Sequence, residues 1–169
     1  MAPNASVIGS VLLFGKVSVW YGAIIRGDKN IVRIGTNSAI KDRAVLTTVS
    51  TLPSGFPAEL DVGRDCTIGA AAVLTSCNIK DGAHIGAGAV IGEGSIVGAN
   101  AHIAAGAVIA PGTLVPDNQL WAGNPAVYVR DVSGFEIDDR DDRLDDTWTL
   151  AMLHSEEFSP YGTVYQAVV

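Results

Sequence analysis

The sequence predicts an all-β solenoid, a parallel β-helix of six-residue repeats, with one α-helix packed alongside at its C-terminal end. Three observations carry that expectation. Branched aliphatics recur every six residues at Ile79, Ile85, Ile91, Val97, Ile103, Ile109 and Val115. Three positions after each stands a residue that tolerates left-handed backbone angles: Gly82, Gly88, Gly94, Asn100, Gly106, Gly112 and Asn118. Four positions after the aliphatic come small residues suited to a crowded interior, from Ala83, Ala89 and Ser95 to Ala101, Ala107 and Thr113. A period of six fits neither a 3.6-residue helix nor a hairpin stack. It fits three short strands per coil joined by tight turns, so that residues 18 apart stack about 4.8 Å apart and their aliphatics form continuous ladders.

Composition agrees. The 169 residues suffice for one domain, 48% are hydrophobic and 17% charged, and 19 are glycine. Such a chain can fill a core and is poor material for a helical bundle. No strict Gly-X-Y period is present, which excludes collagen.

Taken from the N-terminus, the hexad places Ile8, Phe14 and Trp20 in a first inward run, then Ile34, Ile40 and Leu46 in a second. Residues 49–61 break the pattern and read as a protruding loop. Val62, Ile68 and Leu74 resume it, and a five-residue step leads to Ile79. The repeats end after Pro125, giving a solenoid over 1–130. In the segment 131–169, Ser133 and Glu136 read as a capping box. Ile137, Leu144, Trp148, Leu150 and Ala151 supply a helical stripe to about residue 157. Six aspartates between 138 and 146 cover the other face, as a solvated surface or a partner-binding strip. Residues 158–169 read as an extended, apolar end.

Charge is divided just as sharply. Residues 1–130 hold nine Lys/Arg and eight Asp/Glu, whereas 131–169 hold two and ten, so the formal −7 belongs to the tail. There is no basic footprint for nucleic acid. No apolar run reaches the length of a membrane span. Met1-Ala2-Pro3-Asn4 begins neither a charged nor an apolar leader. Two cysteines, Cys66 and Cys77, fit a reducing compartment and read as buried packing residues. His84 and His102, 18 apart, should stack one coil apart on one face; with no third soft ligand evident, hydrogen bonding fits them better than metal binding. His154 falls in the helix with no evident partner.

Several motifs together resemble the gamma-class carbonic anhydrases and their carbonic-anhydrase-like relatives. They are Val19-Trp20-Tyr21-Gly22-Ala23-Ile24-Ile25-Arg26-Gly27-Asp28-Lys29-Asn30, Ile34-Gly35, Ile40-Lys41-Asp42, Ile68-Gly69 through Val73-Leu74 and Cys77, and Leu120-Trp121-Ala122-Gly123-Asn124-Pro125-Ala126. The resemblance covers about residues 3–155. It implies a left-handed coil, against the right-handed rule for crossovers, and a trimer. It also implies zinc held between subunits by three histidines, two from one chain and one from its neighbour.

Carried over residue by residue, those three ligand positions fall on Thr47, Ala70 and Thr75, and all three histidines are missing. The glutamine that would position the zinc-bound water is Lys41, a cation that opposes a divalent metal. Neutral hydroxyls are weak zinc ligands, so no metal site, no cofactor and no catalytic residue are expected. Arg26 and Asp28 match residues that pair across the trimer interface, where a planar guanidinium can grip a carboxylate; a salt bridge within one chain is the alternative. Asp42 and Asn124 match shell positions whose roles become structural without the metal.

The resemblance therefore implies a non-catalytic, zinc-less structural subunit like those of mitochondrial respiratory complex I, docked on the matrix side of the membrane arm. Its trimer partners would be two gamma-carbonic-anhydrase paralogues, or further copies of itself. With Thr47 and Thr75 spoiling one interface and Ala70 the other, such a heterotrimer keeps at most one complete site. Two alternatives stand beside this reading. One is a free-standing cytoplasmic homotrimer binding a small anion such as bicarbonate. The other is a hexapeptide-repeat acyltransferase using His84 or His102 as base.

Overall fold

The computed structural model describes residues 1–167, with side chains as far as Glu157. Short parallel strands wind into a three-sided prism of six coils, and each side is a ladder of inward aliphatics. The first ladder runs Val7, Ile25, Leu46, Leu74, Ile91, Ile109. The second runs Leu13, Ile34, Val62, Ile79, Val97, Val115. The third runs Val19, Ile40, Ile68, Ile85, Ile103 and closes on Trp121. From Ile25 to Val115 every aliphatic rung of these ladders is buried. The turn residues behave as the repeat requires, with φ between 53° and 73° at Gly82, Gly88, Gly94, Asn100, Gly106, Gly112 and Asn118.

The first coil corrects the sequence reading by one residue. Its inward positions are Val7, Leu13 and Val19, whereas Ile8 and Phe14 are about half exposed and Trp20 lies outside the ladder. Both registers are apolar there, and a slip of one residue exchanges the two faces of a strand. Val7 and Leu13 remain 37% and 40% exposed because no coil stacks above them.

The segment read as a protruding loop keeps residues 53–57 exposed but is anchored to the prism at both ends. Its last two residues, Leu60 and Asp61, already belong to the strand Leu60–Val62. Leu52 and Ala58 are buried, although Phe56 points to solvent. The buried Ser76 hydroxyl fastens both ends of the loop, accepting from the Val49 amide at 2.8 Å and donating to the Ala58 carbonyl at 2.6 Å. Ser76 sits in the five-residue step, so one irregularity of the repeat anchors the other.

After the last coil an antiparallel hairpin, Gln119–Gly123 with Ala126–Asp131, turns the chain back. The helix α1 (Gly134–Ala167) follows. Its first turn carries the expected capping box: the Glu136 carboxylate accepts the Ser133 amide at 2.8 Å, and the Glu136 amide donates to the Ser133 hydroxyl at 3.3 Å. Arg130 grips the same carboxylate with two nitrogens at 2.9 Å, holding it well below the usual carboxylate range.

Along α1, Leu144 is buried and Thr147, Trp148, Ala151 and His154 are half-buried, so this stripe faces the prism. Leu150 is off it, 46% exposed, because six residues on from Leu144 brings the chain to the far side of the helix. The helix also continues through Ala167, where an extended end was expected from residue 158; only 168–169 lie outside the described residues. Among the described residues no helix is long and apolar enough to cross a membrane.

Candidate functional site

The residue one position before each inward aliphatic points outward, and it differs on the three faces. On the first face these residues are Ile24, Val45, Val73, Val90 and Val108, all in register. They form an outer aliphatic stripe that no described residue covers completely. On the second face they include Arg33, Asp61 and Asn78. Arg33 there bridges Glu59 at 2.5 Å and Asp61 at 3.0 Å. On the third face they are Ser18, Ala39, Thr67, His84 and His102, lying under α1.

Thr47 and Thr75 lie beside the aliphatic stripe. They are register partners on adjacent strands, next to Arg26 one coil earlier. Both are half-buried, and so is Ala70, whose carbonyl accepts the Gly88 amide at the corner after Gly69. Thr47 and Thr75 bring two neutral hydroxyls to one place, and Ala70, at a separate corner, presents only a methyl, so these residues do not fit zinc, which wants imidazole nitrogen or thiolate. Among the described residues no three His, Cys, Asp or Glu side chains are placed to hold a metal ion.

Arg26 and Asp28 meet each other within the chain, at 2.6 Å. This exposed pair draws the aspartate pKa down, chiefly through that hydrogen bond. Asp42 accepts the Tyr21 amide at 3.2 Å and so ties one corner to the coil before it. Asn124 is exposed at the tip of the closing hairpin. Lys41 is directed elsewhere. Its ammonium donates to the Thr147 hydroxyl of α1 at 3.1 Å and lies 4.9 Å from the centre of the Trp20 ring.

Lys41 thereby joins a different cluster. A cavity of about 300 Å³ between α1 and the third face is lined by Lys41, His84, His102, Arg140, Arg143 and Asp146, with Thr67 and Thr147. The two histidines lie one coil apart in register as expected, with ring centroids 5.4 Å apart and planes tilted 55° to each other. Burial depresses the pKa of both, with positive neighbours adding to the effect, and His84 falls to about 4. The unfolded chain therefore binds a proton at His84 that the folded chain does not, between about pH 6.5 and about pH 4. Stability is expected to decline on acidification through that window, by up to about 3 kcal/mol. Melting curves across the window should show the decline, and His84→Gln should flatten it; an equal slope in the variant would assign the loss to other groups.

His154, which the sequence reading leaves without a partner, receives or gives a hydrogen bond at 2.7 Å with the Tyr21 hydroxyl, and its ring packs edge-on against Trp20 at 5.7 Å. The signal available was the adjacent aromatics Trp20 and Tyr21, which are left outside the ladder once Val19 takes the inward position. Cys66 and Cys77 are buried free thiols, each pushed up to about 12 by burial, and so are inert packing residues.

Comparison with known proteins completes the description. Residues 76–111 match the family model "Bacterial transferase hexapeptide (six repeats)". Gamma carbonic anhydrase-like 1, mitochondrial, of Arabidopsis thaliana is 45% identical over 168 residues, 99% of this chain and 67% of that protein. Gamma carbonic anhydrase 2, mitochondrial, from the same plant is 34% identical over 159 residues, 94% of this chain and 57% of that protein. The chain thus spans between 57% and 67% of the length of these plant relatives. Among solved structures, a hexapeptide transferase family protein from Anaplasma phagocytophilum superposes with a TM-score of 0.77 at 25% identity, covering 89% of each chain.

Proposed function

The chain belongs to the gamma carbonic anhydrase family, and from that premise we propose that it is a non-catalytic, zinc-less structural member of it. The observation that carries the proposal is the donor set at the three ligand positions. Thr47 and Thr75 sit together on one face as the paired ligands of one chain should, but offer only hydroxyls, and Ala70 offers none. Without zinc there is no acidified water and no nucleophile for carbon dioxide.

What the chain retains is an assembly surface. The stripe Ile24, Val45, Val73, Val90, Val108 runs beside Arg26 and Thr47, and a trimer would bury it against neighbouring prisms. Arg26, now paired with Asp28 in its own chain, would exchange that carboxylate for one across the interface. We place the trimer, with two histidine-bearing paralogues, on the matrix side of the membrane arm of mitochondrial complex I. The mitochondrial names of the plant relatives support that location.

Native mass spectrometry of the endogenous complex, with zinc counted per trimer, tests both parts. We expect two paralogues with the chain and at most one tightly bound zinc. Two or more zincs per trimer would defeat the donor-set argument, and a homotrimer free of membrane-arm subunits would defeat the placement.

A further inference from the structure

The cavity under α1 is not accounted for by assembly. Its lining is rich in donors: the Lys41 ammonium, the Arg140 and Arg143 guanidiniums, the two imidazoles, and the hydroxyls of Thr67 and Thr147. Asp146, exposed at its rim, is the one carboxylate in that lining. The lining itself thus carries three cations against one carboxylate, with the partners of the two arginines, Asp141 and Asp139, lying outside it.

The cations differ in how far they are already satisfied. Arg140 donates to Asn100 at 2.6 Å and pairs with Asp141 at 3.1 Å. Arg143 pairs with Asp139 at 3.1 Å and keeps half its side chain exposed. Lys41 has three N–H donors, and its contacts are one hydroxyl and one ring face. It makes no ion pair among the described residues. A half-buried ammonium without a carboxylate in contact is costly to keep, and the cost falls when an anion enters beside it. The imidazoles add two further N–H donors and, being neutral, do not themselves supply a counter-charge.

We propose that this cavity is a binding site for a small oxyanion, of the size of inorganic phosphate or a short carboxylate, held by Lys41, Arg143 and the N–H groups of His84 and His102. The carboxylate-like or phosphate-like ligand would lie across the rungs that carry His84 and His102 and be closed in by α1. Binding is then coupled to protons. The groups facing the imidazoles are Lys41 from the third face, Arg140, Arg143, Asp146 and Glu136 from α1, and Arg130 from the closing hairpin. Lys41 and Arg143 disfavour a proton on His84. An anion seated among them reverses that influence, so protonation and binding favour each other and affinity rises as pH falls. The site is separate from Thr47, Ala70 and Thr75, none of which lines it, and its fate is independent of the subunit reading above.

The test is nitrogen-resolved NMR of the imidazoles in the full chain as it assembles, titrated in sodium phosphate, sodium formate, sodium acetate and sodium chloride at equal ionic strength. The expected result is that one of the oxyanions raises the apparent pKa of His84 by about one unit over its chloride value, which corresponds to about tenfold tighter anion binding to the protonated form. The phosphate arm against the carboxylate arms then tells which source the site prefers. Lys41→Met should abolish the rise, while the same spectra report whether the two imidazoles remain adjacent. Arg143→Gln, at a more exposed position, should reduce it several-fold without any question of folding. Oxyanions that move the imidazoles no further than chloride does, or an undiminished rise in both variants, would overturn the proposal.

Discussion

Histidine at both Thr47 and Thr75 is expected to give the chain a zinc-dependent stability that the parent lacks. The two positions face each other across adjacent parallel strands, about 4.8 Å apart at the backbone. Two imidazoles projecting from them can converge on one ion at the ~2.0–2.1 Å that zinc requires. With free zinc about a hundredfold above its dissociation constant, mass action adds about 2.7 kcal/mol to the folded state. The measurement is a pair of melting curves, with zinc and with a chelator, on the parent, on each single variant and on the double variant. A zinc shift in the parent would contradict the donor-set argument, and none in the double variant would contradict the register. Ala70→His on top of the pair should deepen the shift only under conditions where the chain is assembled. Lys41→Gln should change it little, because the Lys41 ammonium is engaged with Thr147 and Trp20.

The largest loss is expected at the centre of the third ladder. Ile85 is fully buried between Ile68 and Ile103, with the backbone of neighbouring coils too close for the site to collapse. Ile85→Ala removes three heavy atoms and leaves a void, which typically costs ~2–5 kcal/mol. For a chain of this length each kcal/mol lowers the melting temperature by about 2–4 °C. Val7→Ala is the control, since its side chain is 37% exposed on the outermost coil. Thermal or denaturant unfolding of the two variants should rank Ile85 far above Val7. Comparable losses would mean that the ladders are not the main source of stability.

The repeat was readable because each ladder position must serve a neighbour above and below, so the aliphatic period persists from Ile34 to Val115. It failed at the first coil, where Val7–Leu13–Val19 and Ile8–Phe14–Trp20 are equally apolar and only one side has a neighbour to discriminate between them. Thr47 and Thr75 fall on one face. The contact of Lys41 with Thr147 was not legible, because it spans 106 residues and depends on where α1 docks. The pairing of His84 with His102 followed from their spacing of 18, but the cations opposite them belong to the helix. The outer stripe Ile24, Val45, Val73, Val90, Val108 was present in the sequence all along, one position before each rung. Attention to the rungs alone passes over it.

The course of α1 has a consequence for how the molecule comes apart. A stack of coils in which each touches only its neighbours tends to lose its ends first, one coil at a time. Here the helix starts where Val132 bonds to Asn118 of the sixth coil and reaches Asn100 of the fifth through Arg140. It meets Lys41 of the second through Thr147, and ends its described side-chain contacts on Trp20 and Tyr21 of the first through His154. One helical turn rises 5.4 Å, close to the spacing of one coil, so the helix lies along the stack like a splint fastened at both extremities. Peeling the first coil then means lifting the strap that also secures the last. The fastening converts a linear array, prone to fraying, into a body whose two ends melt together.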